Sequence, residues 1–156
     1  MLNNNKIKLN EIRISCSSHA TEDLKKVKTA ILNLLPEKLR KEEEIDTIEI
    51  IGHAGNTINL LEMTIKQIQN QLTIIQYFAE KIDEVDKIFL YEDIDTYLGE
   101  DNSLYLRFNK QDAFNETLTL DEKDNTIKVV IKFVVYKQEP DQLIDTLEKL
   151  GLIKKR

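Results

Sequence analysis

The sequence has few of the residues that define disulfide-linked, metal-bound or membrane-spanning proteins. Its 156 residues include one cysteine, two histidines, two prolines and four glycines, and no tryptophan. The lone Cys16 cannot form an intramolecular disulfide, and it lies in an apolar alternation typical of a small buried side chain. A disulfide scaffold is therefore excluded, and a reducing compartment is indicated. No run approaches the roughly 18 to 20 apolar residues that span a bilayer, so we expect a cytoplasmic protein with no membrane partner.

Residues for catalysis and metal binding are equally scarce. His19 and His53 lie far apart in the chain, and no motif places a base beside Cys16 or the serines next to it. The sequence has neither a zinc-ligand spacing nor a phosphate-binding G-x-x-x-x-G-K loop. We therefore expect a protein that is not an enzyme and that uses no cofactor and no metal.

Negative charge is abundant, but it is unevenly distributed. The formal net charge is −6, and residues 80–101 alone contain nine Asp or Glu against Lys81 and Lys87. Salt screens exposed charges beyond about 8 to 10 Å, so a basic face can coexist with an acidic one on the same protein. The negative net charge therefore does not exclude a nucleic-acid partner.

Hydrophobic periodicity predicts a single α+β domain over residues 1–156, with ends that fray at 1–5 and 154–156. The predicted order is β-α-β-β-α-α-β-β-β-α. Strands are expected at 6–18, with a bulge near Asn10 and Glu11, and at 45–51, 57–66, 104–108, 117–120 and 126–137. Helices are expected at 21–35, 66–81 and 83–98, and a last helix begins near Pro140 and ends at Gly151.

Two polar clusters lie at predicted turns. Residues 17–23 join a strand to a helix, and they predict either a helix cap or, with His19, a phosphate site. Residues 52–56 join two strands, and there Gly52 and Gly55 shape the loop. The free N–H groups of that loop and the ring of His53 can also meet a phosphate or an unpaired base. The residues alone leave the structural and the binding interpretations open for both clusters.

A third cluster, residues 105–114, places Tyr105, Arg107 and Asn109 on the outward side of a strand. If the strand at 126–137 shares this face, then Lys128, Lys132 and Tyr136 complete a basic surface with aromatic residues, which suits unpaired RNA. Val130 and Val134 on the same side favour a surface that another element or a second subunit covers. Both interpretations stay open at this point.

Taken together, the three clusters resemble a family of archaeal exosome-associated RNA-binding proteins. The family patterns are HATED, GH-x-GN and LYLR-x-DKQAAY, and the matching segments here are 19–23, 52–56 and 104–114. The chain departs from the family at Asn109, Asp112 and Phe114, where Asp, Ala and Tyr are usual. The resemblance implies a fold similar to the ribosomal protein that binds five-S rRNA, which is a mixed, mostly antiparallel sheet with helices packed on one face.

The residues and the resemblance together predict a non-catalytic RNA-binding protein that takes part in RNA processing or degradation. Its implied partners are RNA and exosome-related or ribosome-related proteins. The expected RNA contacts are His53, Asn56, Tyr105, Arg107, Lys110, Gln111, Lys128 and Lys132. The alternative is a protein interaction module without direct RNA contact. It would form a homodimer through Val130, Val134 and Tyr136, and residues 80–101 would bind a basic partner.

Overall fold

A computed structural model describes residues 7–137 and 141–156, and its five strands form one antiparallel sheet in the order β2-β3-β1-β5-β4. The strands are β1 (Ile7–Ser18), β2 (Asp46–Ile51), β3 (Thr57–Ile65), β4 (Ser103–Asn109) and β5 (Thr126–Val135). The helices are α1 (Leu24–Leu32), α2 (Ile68–Lys81), α3 (Glu84–Glu92), α4 (Ile94–Tyr97), α5 (Lys110–Phe114) and α6 (Gln142–Lys149). The predicted α+β class and the antiparallel sheet are confirmed.

The sheet is covered by helices on one face, as the alternation of its strands predicts. On β1 the side chains of Ile12, Ile14 and Cys16 are buried, whereas Arg13 and Ser15 between them are partly exposed. Helices α1 and α2 pack on the buried side through a shared apolar core that includes Val27, Ile31, Ile74, Ile75, Phe78, Leu106, Phe108, Val129 and Ile131. The opposite side, called the open face below, carries Arg13, Ser15, Leu60, Glu62, Arg107 and Lys128.

A β-bulge divides β1, where the sequence changes the phase of its apolar residues. The register against β5 shifts between Leu9 and Glu11, which confirms the predicted position. The bulge leaves Asn10 without a ladder partner. The buried side-chain amide of Gln71 on α2 donates to the Asn10 and Ile65 carbonyls, each at 2.9 Å. A single helical side chain therefore supplies the donor that the bulge requires.

The segment after β4 differs from the predicted order. Residues 117–120 make only an isolated bridge, between Leu120 and Phe108, instead of a strand. Helix α5 precedes them, and it begins where the Asn109 side chain accepts a hydrogen bond from the Asp112 N–H at 2.8 Å. A helix of five residues is too short to show an apolar period, so the pattern predicted only a break there.

The last helix ends at a glycine, as the sequence predicts. Gly151 has φ +83°, and its N–H donates to the Glu148 carbonyl at 3.0 Å. Residues 154–156, which were expected to fray, contact α3. The Lys154 N–H donates to the Lys87 carbonyl at 3.2 Å, and the Arg156 guanidinium pairs with Glu92 at 2.7 and 2.9 Å. The predictions for residues 1–5 and Pro140 lie outside the described residues.

Within the two described ranges, no helix is both long enough and apolar enough to cross a bilayer.

We expect Gln71→Ala to lower the free energy of unfolding by about 1 to 2 kcal/mol, because the buried Ile65 carbonyl and the partly buried Asn10 carbonyl lose their donor. The loss stays modest because the Gln71 Oε1 atom is itself buried without a partner among the described residues, and the substitution removes it. Urea denaturation measures the change. Gln76→Ala, at an exposed position of the same helix, should change stability by less than about 0.5 kcal/mol. Equal losses in the two variants would contradict the role of Gln71.

Candidate functional site

Two cationic side chains lie next to each other on the open face. Arg107 on β4 stands directly opposite Lys128 on β5, and Lys128 stands opposite Ser15 on β1. Arg107 and Lys128 are both exposed. Within the described ranges the Arg107 guanidinium makes no hydrogen bond and no ion pair. Like charges directly opposite each other are unfavourable in a sheet, so this pair is a position where an anion would relieve repulsion.

Tyr105 contacts the Lys128 member of this cationic pair. The Lys128 Nζ lies 5.5 Å from the centre of the Tyr105 ring, within the range of a cation–π interaction. The Tyr105 hydroxyl donates to Asp101 Oδ2 at 3.1 Å. A Cβ atom at Gly99 would lie 2.7 Å from the ring, so only glycine allows the backbone to approach it this closely. The ring is therefore fixed between neighbours, and Lys128 occupies the region above one of its faces.

Arg13 and Lys132, which also lie on the open face, are already paired with a carboxylate. Lys132 Nζ lies 3.4 Å from Glu11 Oε2, and Arg13 contacts the same oxygen at 3.1 Å. Arg13 also lies 4.0 Å from Glu62. A phosphate would have to compete with Glu11 for Lys132 and Arg13, whereas Arg107 requires no such exchange.

Lys110 is enclosed by acceptors of the protein itself. Its ammonium donates to the Ser17 carbonyl and to Asn125 Oδ1, both at 2.6 Å, and to the two Glu22 oxygens at 3.1 and 3.2 Å. Its side chain is only 11% exposed. We call this set of contacts the Lys110 clamp. It joins the end of β1, the approach to α1 and the loop before β5, so the first and third clusters meet for a structural reason.

The clamp also sets the ionisation of Glu22. Burial by itself would raise the pKa of this carboxyl. Hydrogen bonds from the His19 N–H, at 3.1 Å, and from Lys110 outweigh burial and hold the pKa of Glu22 below its usual range. The charged pair therefore persists at neutral pH.

The remaining predicted contacts lie apart from Arg107. His53 and Asn56 are exposed at the tip of the β2–β3 hairpin, and three strands separate β2 from β4. The Gly52 N–H donates to the Asn56 carbonyl at 2.8 Å, and Gly55 has φ +79°. Gln111 is exposed on α5, which packs against α1 on the covered side of the sheet. The structure thus brings Tyr105, Arg107 and Lys128 together, but not His53, Asn56 or Gln111.

The strip that would serve a homodimer is not a continuous apolar surface. Val130 is 7% exposed and belongs to the buried residues, while Tyr136 is 63% exposed. The Lys8 ammonium lies 5.6 Å from the centre of the Tyr136 ring. Only part of the strip is therefore accessible to a second subunit.

Two grooves border the cationic pair. The first, of about 630 Å³ and called the central groove, crosses the open face from Ile48 and Leu60 to Arg107 and Lys128. Its other lining residues are Ser15, Cys16, Ser17, His19, Asp46, Leu61, Glu62, Asp124, Asn125 and Thr126. The sequence patterns did not single out Ile48 or Leu60, because an apolar residue on a strand normally indicates burial.

The second groove, of about 950 Å³ and called the edge groove, lies between β4 and helices α3 and α4. Carboxylates dominate its rim: Asp86, Glu92, Asp93, Asp121 and Glu122. Burial, followed by the hydrogen bond to Glu122, raises the pKa of Tyr97 in this groove to about 12. Phosphate is therefore expected to avoid the edge groove and to favour the central one.

Among the described residues no three His, Cys, Asp or Glu side chains are grouped closely enough to hold a metal ion.

Lys110→Met should lower the free energy of unfolding by about 2 kcal/mol at neutral pH, because the Ser17 carbonyl loses its Lys110 donor and Glu22 keeps only the hydrogen bond from the His19 N–H. A carboxylate with a lowered pKa stabilises the fold above its unfolded-state pKa, and this stabilisation is lost as the pH falls through its folded-state pKa. The difference between wild type and Lys110→Met should therefore shrink in acid. Urea denaturation at neutral and acidic pH tests this, with Lys41→Met, at an exposed position, as the control. A difference that does not depend on pH would contradict the charged pair.

Known proteins resemble this chain over most of its length. The RNA-binding protein PAB1135 of Pyrococcus abyssi is 28% identical over 145 residues, which span 92% of this chain and 94% of that protein. The uncharacterized protein MJ0213 of Methanocaldococcus jannaschii is 32% identical over 130 residues, spanning 82% and 87%.

Solved structures show the same fold. The crystal structure of AF2318 from Archaeoglobus fulgidus aligns with a TM-score of 0.79 at 26% identity, covering 92% of this chain and 99% of that one. Mth689, a DUF54 protein from Methanothermobacter thermautotrophicus, aligns with a TM-score of 0.74 at 20% identity, covering 91% and 97%. A family described as RNA binding matches residues 11–133, from the bulge of β1 to the interior of β5. The chain therefore belongs to this RNA-binding family.

Proposed function

We propose that this protein binds RNA on its open face, with Arg107 and Lys128 as the main phosphate contacts. The observation that carries the proposal is the Arg107 guanidinium, which is exposed, unpaired within the described ranges and adjacent to Lys128. A guanidinium can donate two parallel hydrogen bonds to a phosphate, which makes arginine the usual residue for such a contact. Membership of the RNA-binding family supports this assignment.

The charge distribution limits how strongly RNA can bind. The net charge is −6, and carboxylates line the rim of the edge groove next to β4. With Arg107 and Lys128 as the two phosphate contacts, we expect a slope of about −1.4 in a plot of log affinity against log salt for single-stranded RNA. Binding should therefore be weak and moderately sensitive to salt, unless Lys132 exchanges Glu11 for a phosphate.

The proposed role is non-catalytic. Cys16 borders the central groove, but burial raises the pKa of its thiol to about 11 despite the nearby Lys110 charge. A thiol with this pKa is protonated at neutral pH and is a poor nucleophile. The groove therefore supports recognition of RNA better than cleavage by this thiol.

The other predicted contacts have smaller roles in the proposal. His53 and Asn56 form a secondary contact at the exposed hairpin tip. Gln111 can reach only RNA that extends around α5. Lys110 would contact RNA only by breaking the clamp, so we assign it a structural role instead.

The finer expectations rest on the family resemblance, except the cytoplasmic location, which rests on the composition. They are a cytoplasmic role in RNA processing or degradation, association with an exosome or ribosome-related protein, and likeness to a ribosomal protein. Co-purification of the tagged protein with exosome subunits or ribosomal proteins, with and without ribonuclease treatment, tests the association. If neither exosome subunits nor ribosomal proteins were recovered, the expected associations would be contradicted.

Arg107→Ala and Lys128→Ala should each weaken RNA binding at low salt and reduce the magnitude of the salt slope by about 0.7, because each removes one phosphate contact. Fluorescence anisotropy of a labelled RNA over a series of salt concentrations measures affinity and slope together.

Lys25→Ala is the matched control, since it removes one positive charge from α1 on the covered side of the sheet. Its slope should equal that of the wild type. Unchanged slopes in both open-face variants, or absence of RNA binding by the wild type at low salt, would contradict the proposed function.

A further inference from the structure

We infer that the RNA in the central groove is unpaired, with a base against Ile48 and Leu60 and a phosphate on Arg107 and Lys128. This inference rests on the proposed function and adds the class of RNA and its orientation across the sheet.

An apolar cluster lies at one end of the central groove. Ile48 on β2 stands directly opposite Leu60 on β3, and their side chains are 62% and 39% exposed. Ile50, on the same side of β2, is 40% exposed. Single exposed apolar side chains are common on protein surfaces, but a group of adjacent ones that lines a groove indicates a binding site.

The chemistry of the central groove changes along its length. From Leu60 the sheet passes through Ser17 and Ser15 on β1 to Lys128 on β5. Neighbouring strands lie about 4.8 Å apart, so β3 and β5 are separated by about 10 Å. The groove continues one strand beyond each of them, to Ile48 on β2 and Arg107 on β4, which lie about 19 Å apart across the sheet. Its apolar end, hydroxyl floor and cationic end therefore match the bases, riboses and phosphates of a short single strand of about two or three nucleotides that crosses the strands.

Carboxylates in the central groove determine which end of the groove takes the phosphate. Asp46 and Glu62 stand opposite each other on β2 and β3, beside the apolar cluster, and Asp124 lies on the wall. These groups repel phosphate, so the phosphate belongs at the Arg107 end. Carboxylates do accept hydrogen bonds from the amino groups of bases, so a base can lie beside them.

The apolar end distinguishes unpaired RNA from a duplex. In an A-form helix the base faces are stacked in the interior, and the surface offers only sugars, phosphates and base edges. Ile48 and Leu60 would then gain no apolar partner. An unpaired base presents a free face, and Tyr105 does not compete for it, because Lys128 lies over its ring.

The test compares a labelled single strand of about twelve nucleotides, without self-complementarity, with the duplex that it forms with its complement. We expect the wild type to bind the single strand more tightly. Ile48→Ser and Leu60→Ser should each weaken single-strand binding by about fivefold and leave the salt slope unchanged, since no phosphate contact is lost.

Ile51→Ser is the matched control, because Ile51 is 77% exposed on the same strand but points away from the open face. Its affinity should equal that of the wild type. Circular dichroism and sedimentation of every variant test whether the fold and the oligomeric state are retained.

The possible results distinguish a failure of the inference about unpaired RNA from a failure of the proposed function. The inference would be overturned if salt-dependent RNA binding favoured the duplex. It would also be overturned if Ile48→Ser and Leu60→Ser left RNA binding unchanged. In both cases the proposed function would stand. A wild-type dimer that Ile48→Ser dissociates would assign the apolar cluster to a second copy of the chain, and would also overturn the inference. If the wild type bound no RNA at all, the proposed function itself would be contradicted.

Discussion

Helices cover one face of the five-stranded sheet, and the other properties of the protein follow from this one-sided burial. The covered face requires an apolar residue at every second position of the central strands, which Ile12, Ile14 and Cys16 illustrate on β1. The positions between them are left free to carry polar groups. On β5 and β4 these positions hold Lys128 and Arg107, so the cationic pair lies in register on a rigid surface. A binding surface on strands is held more firmly than one on loops.

The Lys110 clamp links the helix-covered side of the fold to the open face. Through Asn125 it holds the loop before β5, and residues 124–126 of this loop form one wall of the central groove. Through Ser17 and Glu22 it fixes the turn that presents His19 to the same groove. A residue that does not itself face the ligand can thus determine the shape of the site. Lys110, although it lies in the polar cluster 105–114, therefore has a structural role.

The sequence predicts the regular parts of this architecture and misses those that depend on tertiary contacts. Alternation and helical periodicity identify β1 with its bulge, the β2–β3 hairpin and α2, because many residues repeat each signal. Helix α5 escapes detection because it has five residues and depends on the Asn109 cap. At the site, the outward positions of Arg107 and Lys128 follow from strand phase. The enclosure of Lys110 does not follow from strand phase, since its acceptors come from two other segments, residues 17–22 and the loop that contains Asn125. The exposure of Ile48 does not follow either, since an apolar residue on a strand normally indicates burial.

The central claim is that RNA lies on the open face and not on the helices. Titration of ¹⁵N-labelled protein with a short single-stranded RNA tests it most directly, because each amide reports its own surroundings. The account predicts that chemical shifts change at Ser15, Leu60, Arg107 and Lys128, while amides on the outer side of α1, such as Lys25 and Thr29, stay unchanged. Changes confined to α1 and α5, with the open face unaffected, would contradict the account.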